Sequence, residues 1–192
     1  MARYKEFDRE QVLQLAMELF WARGYEGTSI QDLVAAMGIK RQSLYNTFGD
    51  KHTLYLLALD RYREVETRRQ CELLQEAGSV RQALRRLFSD VIKKSTREKQ
   101  RRGCFMGNAM SELGGRCKAT TARACHHISA MEGAFYQALL RGKINGEFEV
   151  RDPRAVARFL SSSLLGLILI SKVTADRKML EDVVRMTLSV VN

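Results

Sequence analysis

Proline is almost absent from this sequence: the 192 residues contain one, accompanied by only thirteen glycines. An all-β sandwich or barrel needs many tight turns, and turns are built largely from these two residues. Their scarcity therefore favours long helices. The expected fold class is all-α, with about nine helices and no strand.

Long hydrophobic runs are missing as well. The most apolar stretch, Phe159–Ile170, is interrupted by three consecutive serines, whereas a helix that spans a membrane needs about 20 apolar residues. Residues 1–8 are polar, and no apolar signal-peptide segment follows them. We therefore expect a soluble, cytoplasmic protein with no membrane partner, in which Phe159–Ile170 forms a buried helix.

Cysteine is scarce, and no C-x-x-C pair occurs, which argues against a zinc ribbon. In a cytoplasmic chain these cysteines are expected to be thiols rather than a disulfide framework. The adjacent Cys125, His126 and His127 would point about 100° apart on a helix, so they cannot all bind one ion without ligands from elsewhere, which a metal sensor would need. No metal or other cofactor is expected. The four cysteines are Cys71, Cys104, Cys117 and Cys125.

Acidic residues are outnumbered: the chain has 32 Lys and Arg against 22 Asp and Glu, a net charge of +10. Such an excess suits a polyanionic partner. In residues 1–62, however, eight basic residues face eight acidic ones, so the excess lies further along the chain. Net charge thus permits nucleic-acid binding without locating it.

Amphipathic segments with clear start and stop signals fill the chain. Asp8 precedes apolar residues at spacings of three and four, and Gly24 ends this first helix. Thr28 or Ser29 begins a short second helix, which ends at Gly38. The remaining predicted helices run from Arg41 to Thr47, from Asp50 to Gln75, from Ser79 into a basic tract at 93–102, from Cys104 to Leu113, from Thr120 or Thr121 to Gly142, from Asp152 to Val173, and from Asp176 to Val191.

The second and third helices form a predicted helix-turn-helix. A tight turn between steeply crossing helices needs a residue that tolerates positive φ, and Gly38 supplies it. Leu44 and Phe48 are expected to face a small core. The side chains left outward on the third helix are Lys40, Arg41, Gln42, Ser43, Tyr45 and Asn46.

These outward side chains suit the major groove of DNA. Arginine pairs with guanine, and glutamine and asparagine pair with adenine, while serine and tyrosine bind phosphate oxygens. Lys51 and His52 begin the next helix, where backbone N–H groups also attract phosphate. An ordinary helical hairpin with a polar surface has the same pattern, so DNA binding is here a hypothesis.

The segments Gly24–Ile30, Met37–Ile39 and Leu44–Lys51 resemble the TetR family of repressors over about residues 5–65. The resemblance implies a homodimer that binds a palindromic operator in double-stranded DNA and responds to a small-molecule effector. By position, Thr28, Tyr45 and Lys51 match the family's phosphate contacts. The positions that match its base contacts are Arg41, Gln42, Ser43 and Asn46.

The resemblance also implies a domain plan. Residues 1–50 would form the DNA-binding domain, and residues 51–192 a ligand-binding and dimerisation domain. Helices at about 152–173 and 176–191 would pair with their twofold mates in a four-helix bundle. The face expected in that bundle comprises Phe159, Leu160, Ser163, Leu164, Leu167 and Ile168.

Gly103-Cys104 begins the sixth predicted helix and resembles a NemR-type subgroup of the family, some of whose members respond to electrophiles or oxidants through such a cysteine. The helix N-terminus and the neighbouring Arg101 and Arg102 would favour the thiolate, although a thiol that merely fills space is the alternative. The expected ligand-binding or sensing residues are Cys104, Asn108, Glu112, Met131 and Phe135.

Two other functions are compatible with the sequence. A small enzyme could use Cys104, or His126 and His127, but it would need a nucleophile and a base held together in a cleft. A basic protein that binds nucleic acid without sequence preference would have similar affinity for random DNA. We expect a sequence-specific repressor that is not an enzyme.

Overall fold

The computed structural model describes residues 7–76, 78–97 and 101–191, with the side chains of residues 96 and 97 left aside. Within these ranges the regular structure is entirely helical, so the predicted all-α class is confirmed. The helices are α1 (Arg9–Arg23), α2 (Ile30–Met37), α3 (Arg41–Phe48), α4 (Lys51–Tyr62), α5 (Arg68–Gln75), α6 (Val80–Arg97), α7 (Phe105–Leu113), α8 (Lys118–Ile144), α9 (Pro153–Ile170) and α10 (Arg177–Leu188).

A π-helical segment, Arg63–Thr67, joins α4 to α5 without a break. Counted as one helix, α4 and α5 reproduce the predicted segment from Asp50 to Gln75, and the described residues then contain nine helices. The predicted basic tract at 93–102 is helical as far as Arg97, and residues 98–100 lie outside the described ranges.

Several predicted helix starts are confirmed by side-chain capping, but α8 begins at Lys118 after Cys117 rather than at Thr120 or Thr121. The carboxylates of Asp8, Asp50, Asp152 and Asp176 each accept backbone N–H bonds from the first turn of their helix. At α2 the cap is Ser29 rather than Thr28: its hydroxyl accepts from the Asp32 N–H while the Asp32 carboxylate accepts from the Ser29 N–H. Capping of this kind satisfies N–H groups that have no partner within the helix.

One hydrophobic core joins α1, α2 and α3 to α4 and α7. Phe20, Leu33 and Leu44 are fully buried there, and so are Tyr55 of α4 and Met106 of α7. The DNA-binding helices predicted for residues 1–50 are therefore packed directly on the helices that follow them.

A second core holds α5, α6, α8, α9 and α10 together. Phe88 and Phe135 lie at its centre with their ring centroids 6.3 Å apart, and Leu139, Leu160 and Leu180 are fully buried around them. This core contains no residue of α1, α2 or α3.

The face of α9 predicted for dimerisation is partly wrong. Leu160, Leu164 and Leu167 are buried in the second core of the same chain, because α9 is apolar on both sides and helical period does not say which side packs inward. By length and composition alone α9 could cross a membrane. The prediction that Phe159–Ile170 forms a buried helix is also corrected, because within this stretch only Leu160, Leu164 and Leu167 are buried. The side left open carries Phe159, Ser162, Gly166, Leu169 and Val173.

Candidate nucleic-acid interface

The turn between α2 and α3 has the geometry expected of a helix-turn-helix. Gly38 adopts the left-handed conformation, with φ 65° and ψ 26°, which costs a glycine little. Ile39 is buried directly after the turn, and Leu44 and Phe48 fix the inner side of α3. The rest of α3 is therefore held in one orientation relative to α2.

The outer side of α3 is polar and lacks acidic residues. Arg41 places its guanidinium 5.7 Å from the ring centroid of Tyr45 and donates to the Tyr45 hydroxyl. The first turn of α3 contains no acidic side chain, and its N-cap, Lys40, makes no side-chain capping bond. The positive end of the helix dipole is thus uncompensated, which favours an anionic partner. The exposed residues are Lys40, Arg41, Gln42, Tyr45 and Asn46, with Ser43 half-buried.

The side chains of two predicted DNA-contacting residues have partners within the chain. Thr28 is fully buried, and its hydroxyl donates to the Gly24 carbonyl at 2.7 Å, closing the turn before α2. His52 lies with its Nε2 3.5 Å from the Cys117 sulfur and its ring edge-on to Tyr25. Sequence position places both residues near helix starts, but it does not say that the Gly24 carbonyl and the Cys117 sulfur lie beside their polar atoms.

Lys51 remains beside the exposed surface of α3. Its ammonium lies 4.3 Å from the ring centroid of Tyr25, and the side chain is half-buried. Its ammonium is thus held over an aromatic face at a helix start, where phosphate is favoured.

Glu112 connects α7 to the DNA-binding helices, a role that sequence reasoning missed. Its two carboxylate oxygens accept the backbone N–H groups of Tyr25 and Glu26, each at 2.8 Å. Gly24 leaves room for this contact, since a Cβ there would lie 2.9 Å from a carboxylate oxygen. Partners more than eighty residues apart leave no local sequence signal.

Replacing Glu112 with alanine is expected to lower the free energy of unfolding by about 2–3 kcal/mol, because two backbone donors lose a charged acceptor. Glu18→Ala is the matched control, since Glu18 is exposed and accepts from the side chain of Gln14 on the same helix. Urea unfolding at one fixed protein concentration measures both changes. Equal values for the two variants would contradict the coupling role of Glu112.

The predicted effector residues do not form one site. Asn108 bonds to the Arg102 carbonyl and the Lys172 ammonium, both at 2.9 Å, while Met131 and Phe135 belong to the second core. Cys104 and Asn108 line one small cavity of about 120 Å³, whereas Glu112 is bound to the turn after α1. Helical spacing identifies residues on one face but not what that face contacts.

A cavity of about 270 Å³ lies instead between α1, the π-helical segment, α5 and α6. The indole of Trp21 donates to the Gly103 carbonyl at 3.0 Å, and the Arg102 guanidinium lies 4.4 Å from its ring centroid. Tyr62 and Leu87 add apolar wall, and Glu66 of the π-helical segment adds a carboxylate. Such segments often occur at functional sites, but this lining comes from too many elements to be recognised in the sequence.

Cys104 lies behind the Tyr62 wall of this cavity. Its sulfur is 3.5 Å from the Tyr62 hydroxyl and 3.9 Å from Nε2 of His127, whose Nδ1 is 3.1 Å from the Thr67 hydroxyl. Burial raises the pKa of the Cys104 thiol, despite hydrogen bonds from Tyr62 and Gly107 that favour the anion.

The predicted thiolate at Cys104 is therefore corrected. The nearby arginines are engaged elsewhere, since Arg101 donates to the Ser95 carbonyl and Arg102 lies over Trp21. Among the described residues no group of three or more His, Cys, Asp and Glu side chains is placed to hold a metal ion. Cys125 and His126 are exposed, while His127 is buried.

The buried imidazole predicts a loss of stability in acid. Burial lowers the pKa of His127 from 6.5 to about 4, so below pH 6.5 the unfolded chain gains a proton that the folded chain does not take up until about pH 4. The free energy of unfolding should fall by about 2 kcal/mol between pH 7 and pH 5 through this group alone. Denaturant titrations of the wild type and His127→Gln across this range will show it, with His126→Gln as the matched control. Equal pH slopes for the wild type and His127→Gln would contradict it.

Comparison with known proteins places the chain in one family. Residues 12–58 match the family model "Bacterial regulatory proteins, tetR family", and residues 80–187 match "Tetracyclin repressor-like, C-terminal domain". An uncharacterized HTH-type transcriptional regulator of Bacillus subtilis, YezE, is 40% identical over the full length of both chains. The HTH-type transcriptional repressor ComR of Escherichia coli is 33% identical over 97% of this chain and 90% of ComR.

Comparison with solved structures leads to the same family. The TetR family regulator CifR, a cysteine-substituted form in complex with 26-bp double-strand operator DNA, superposes with a TM-score of 0.84 at 30% identity over all of both chains. E. coli NemR in its reduced form gives a TM-score of 0.87 at 20% identity over 96% of each chain, which concerns the fold alone. These proteins are DNA-binding regulators and not enzymes, which removes the enzymatic alternative. The chain belongs to the TetR family of bacterial transcriptional regulators.

Proposed function

We propose that the chain is a cytoplasmic homodimeric repressor that binds a palindromic operator and releases it in response to an effector. The observation that carries the proposal is the outer side of α3, where Arg41, Gln42 and Asn46 are exposed. ComR is named a repressor, and CifR is bound to operator DNA. Both support the same role here.

The open sides of α9 and α10 support the homodimer. Phe159, Leu169 and Val173 are 47%, 52% and 84% exposed, and Met179 and Met186 of α10 are 40% and 61% exposed. Large exposed apolar side chains on α9, just after it and on α10 favour an interface, and two such helices from each protomer suit a four-helix bundle. A twofold axis at this surface would set two copies of α3 about 34 Å apart, one turn of DNA.

The proposal is tested by DNase footprinting on DNA that flanks the protein's own gene, together with sedimentation analysis of the free protein. A protected inverted repeat and a dimer are expected. A monomer, or binding to random DNA as strong as to any flanking sequence, would contradict the proposal and favour a protein that binds nucleic acid without sequence preference.

The effector is proposed to enter the cavity beside Trp21. Apolar walls and a charged rim suit a small molecule that is partly apolar. Trp21 of α1, Tyr62 of α4 and Glu66 of the π-helical segment line the cavity. A ligand there would therefore contact both a DNA-binding helix and the helix that follows the DNA-binding helices. A ligand that fits one arrangement of these helices better shifts the population towards it.

Cys104 is a second candidate for sensing, by reaction with electrophiles or oxidants. Tyr62 supports this candidate because it borders both the cavity and the Cys104 sulfur, and Nε2 of His127 lies 3.9 Å from that sulfur. Footprinting with and without a thiol-reactive agent, on the wild type and Cys104→Ser, tests it. Release of DNA that persists in Cys104→Ser would eliminate Cys104 as the sensor.

A further inference from the structure

Cys117 and His52 form a thiol–imidazole pair that bridges the DNA-binding helices and the rest of the chain. Cys117 is the N-cap of α8, and its sulfur lies 3.5 Å from Nε2 of His52 in the first turn of α4. The thiol is partly exposed. Only Gly49 and Asp50 separate the end of α3 from α4, so the pair lies close to the DNA-reading helix.

The surroundings of Cys117 favour the thiolate, unlike those of Cys104. The hydroxyl and the backbone N–H of Thr120 face the Cys117 sulfur and lower the pKa of its thiol, and the positive charge of Arg123 adds to the effect. Burial instead raises the pKa of Cys104 and of Cys71. Nucleophilic reactivity resides in the thiolate.

Two buried hydroxyl groups near Cys117 and His52 have no hydrogen-bond partner among the described residues. They are the hydroxyls of Thr120 and Tyr55, whose oxygens are inaccessible. Buried polar groups are normally paired. Thr120 is directed at Cys117, so an anionic sulfur would give its hydroxyl an acceptor. The ring of Tyr55 packs against Tyr25, which in turn contacts His52, so a carbonyl oxygen attached to the sulfur could accept from the Tyr55 hydroxyl.

We propose that Cys117 is a modification site for soft carbon electrophiles of the α,β-unsaturated carbonyl class. His52 Nε2 accepts the thiol proton, and the sulfur attacks the β-carbon to form an S–C bond. The π electrons of the C=C bond move through the carbonyl to give an enolate, which takes a proton at the α-carbon from the imidazolium of His52. The net change is addition of S–H across the double bond, with no oxidant or reductant.

The adduct is expected to weaken operator binding, an effect that rests on the proposed function. An added group at Cys117 would occupy the space between the first turns of α4 and α8, where His52 and Tyr25 are in contact. Tyr25 also supports Lys51 and donates its backbone N–H to Glu112. Displacing His52 therefore disturbs the segment that holds Lys51 and the end of α3.

The site is tested on the full-length wild-type protein with methyl vinyl ketone, a simple α,β-unsaturated ketone, by peptide mass spectrometry at each cysteine over time. Addition at Cys117 should be at least about threefold faster than at Cys125, which is exposed on the same helix. His52→Gln should slow addition at Cys117 and leave Cys125 unchanged. Equal rates at the two cysteines, or no effect of His52→Gln, would overturn the proposal.

Operator affinity is measured before and after the same treatment for the wild type and Cys117→Ser. Serine is a favoured N-cap, so the variant should fold. The wild type should lose affinity by about tenfold or more, and Cys117→Ser by less than about twofold. An equal loss in both, or no loss in fully modified wild type, overturns the consequence for DNA. Failure of untreated wild type to bind any operator refutes the proposed function instead, and the addition rates still decide the site.

Discussion

Simultaneous replacement of Gln42 and Asn46 by alanine is expected to lower operator affinity by about 100-fold or more while leaving affinity for random DNA nearly unchanged. The two residues are exposed on α3 and four positions apart, so they project from one face of the helix. Glutamine and asparagine pair bidentately with adenine, and each such contact contributes about 1–3 kcal/mol of discrimination.

Affinity for random DNA should persist because it depends on phosphate contacts rather than on base edges. Lys40, Arg41 and Tyr45 remain in the double variant. Competition binding at one salt concentration, with operator and random duplexes of equal length, measures both affinities. Gln82→Ala, an exposed glutamine on α6, is the matched control. A parallel loss on both duplexes would mean that these residues do not read sequence.

Replacing Phe20 with alanine is expected to lower the free energy of unfolding by about 3–5 kcal/mol. The ring is fully buried and lies edge-on to Tyr55, with centroids 5.1 Å apart, and stacked on Tyr25 at 6.4 Å. A cavity at this position would separate α1 from α4. Since α3 is held by the same core, operator binding should fall as well.

Leu15→Ala is the control for Phe20→Ala, because Leu15 belongs to the same helix and is 36% exposed. Leu15→Ala should lower the free energy of unfolding by less than about 1 kcal/mol. Urea unfolding followed by circular dichroism measures both variants at equal protein concentration, which matters for an oligomer. Similar losses in the two variants would contradict the inward orientation of α1.

Sequence reasoning worked best where structure depends on neighbouring residues. Asp8, Asp50, Asp152 and Asp176 predicted helix starts because a capping carboxylate bonds to N–H groups two or three residues later. Helical period assigned Leu44 to the inner side of α3 and Gln42 to its outer side. The same local rules identified the helix-turn-helix and, with it, the family.

Reasoning from the sequence was weaker for residues whose role depends on burial. Thr28 was predicted to contact phosphate, yet its hydroxyl closes the turn before α2. Cys104 was predicted to be a thiolate, yet its thiol is buried beside Tyr62. Leu160 was assigned to a dimer face, although it packs inside its own chain. In each case the position of the residue relative to its helix was predicted correctly, but the groups that it contacts in the folded chain were not.

By itself the sequence determined the all-helical class, most of the helix ends and the polar surface of α3, because these follow from capping, period and turn chemistry within a few residues. Only the tertiary structure decided that Glu112 holds the turn after α1, that Trp21 and Glu66 border one cavity, and that Cys117 meets His52. Those contacts join residues tens of positions apart. They arise from the way whole helices pack, which no short stretch of sequence specifies.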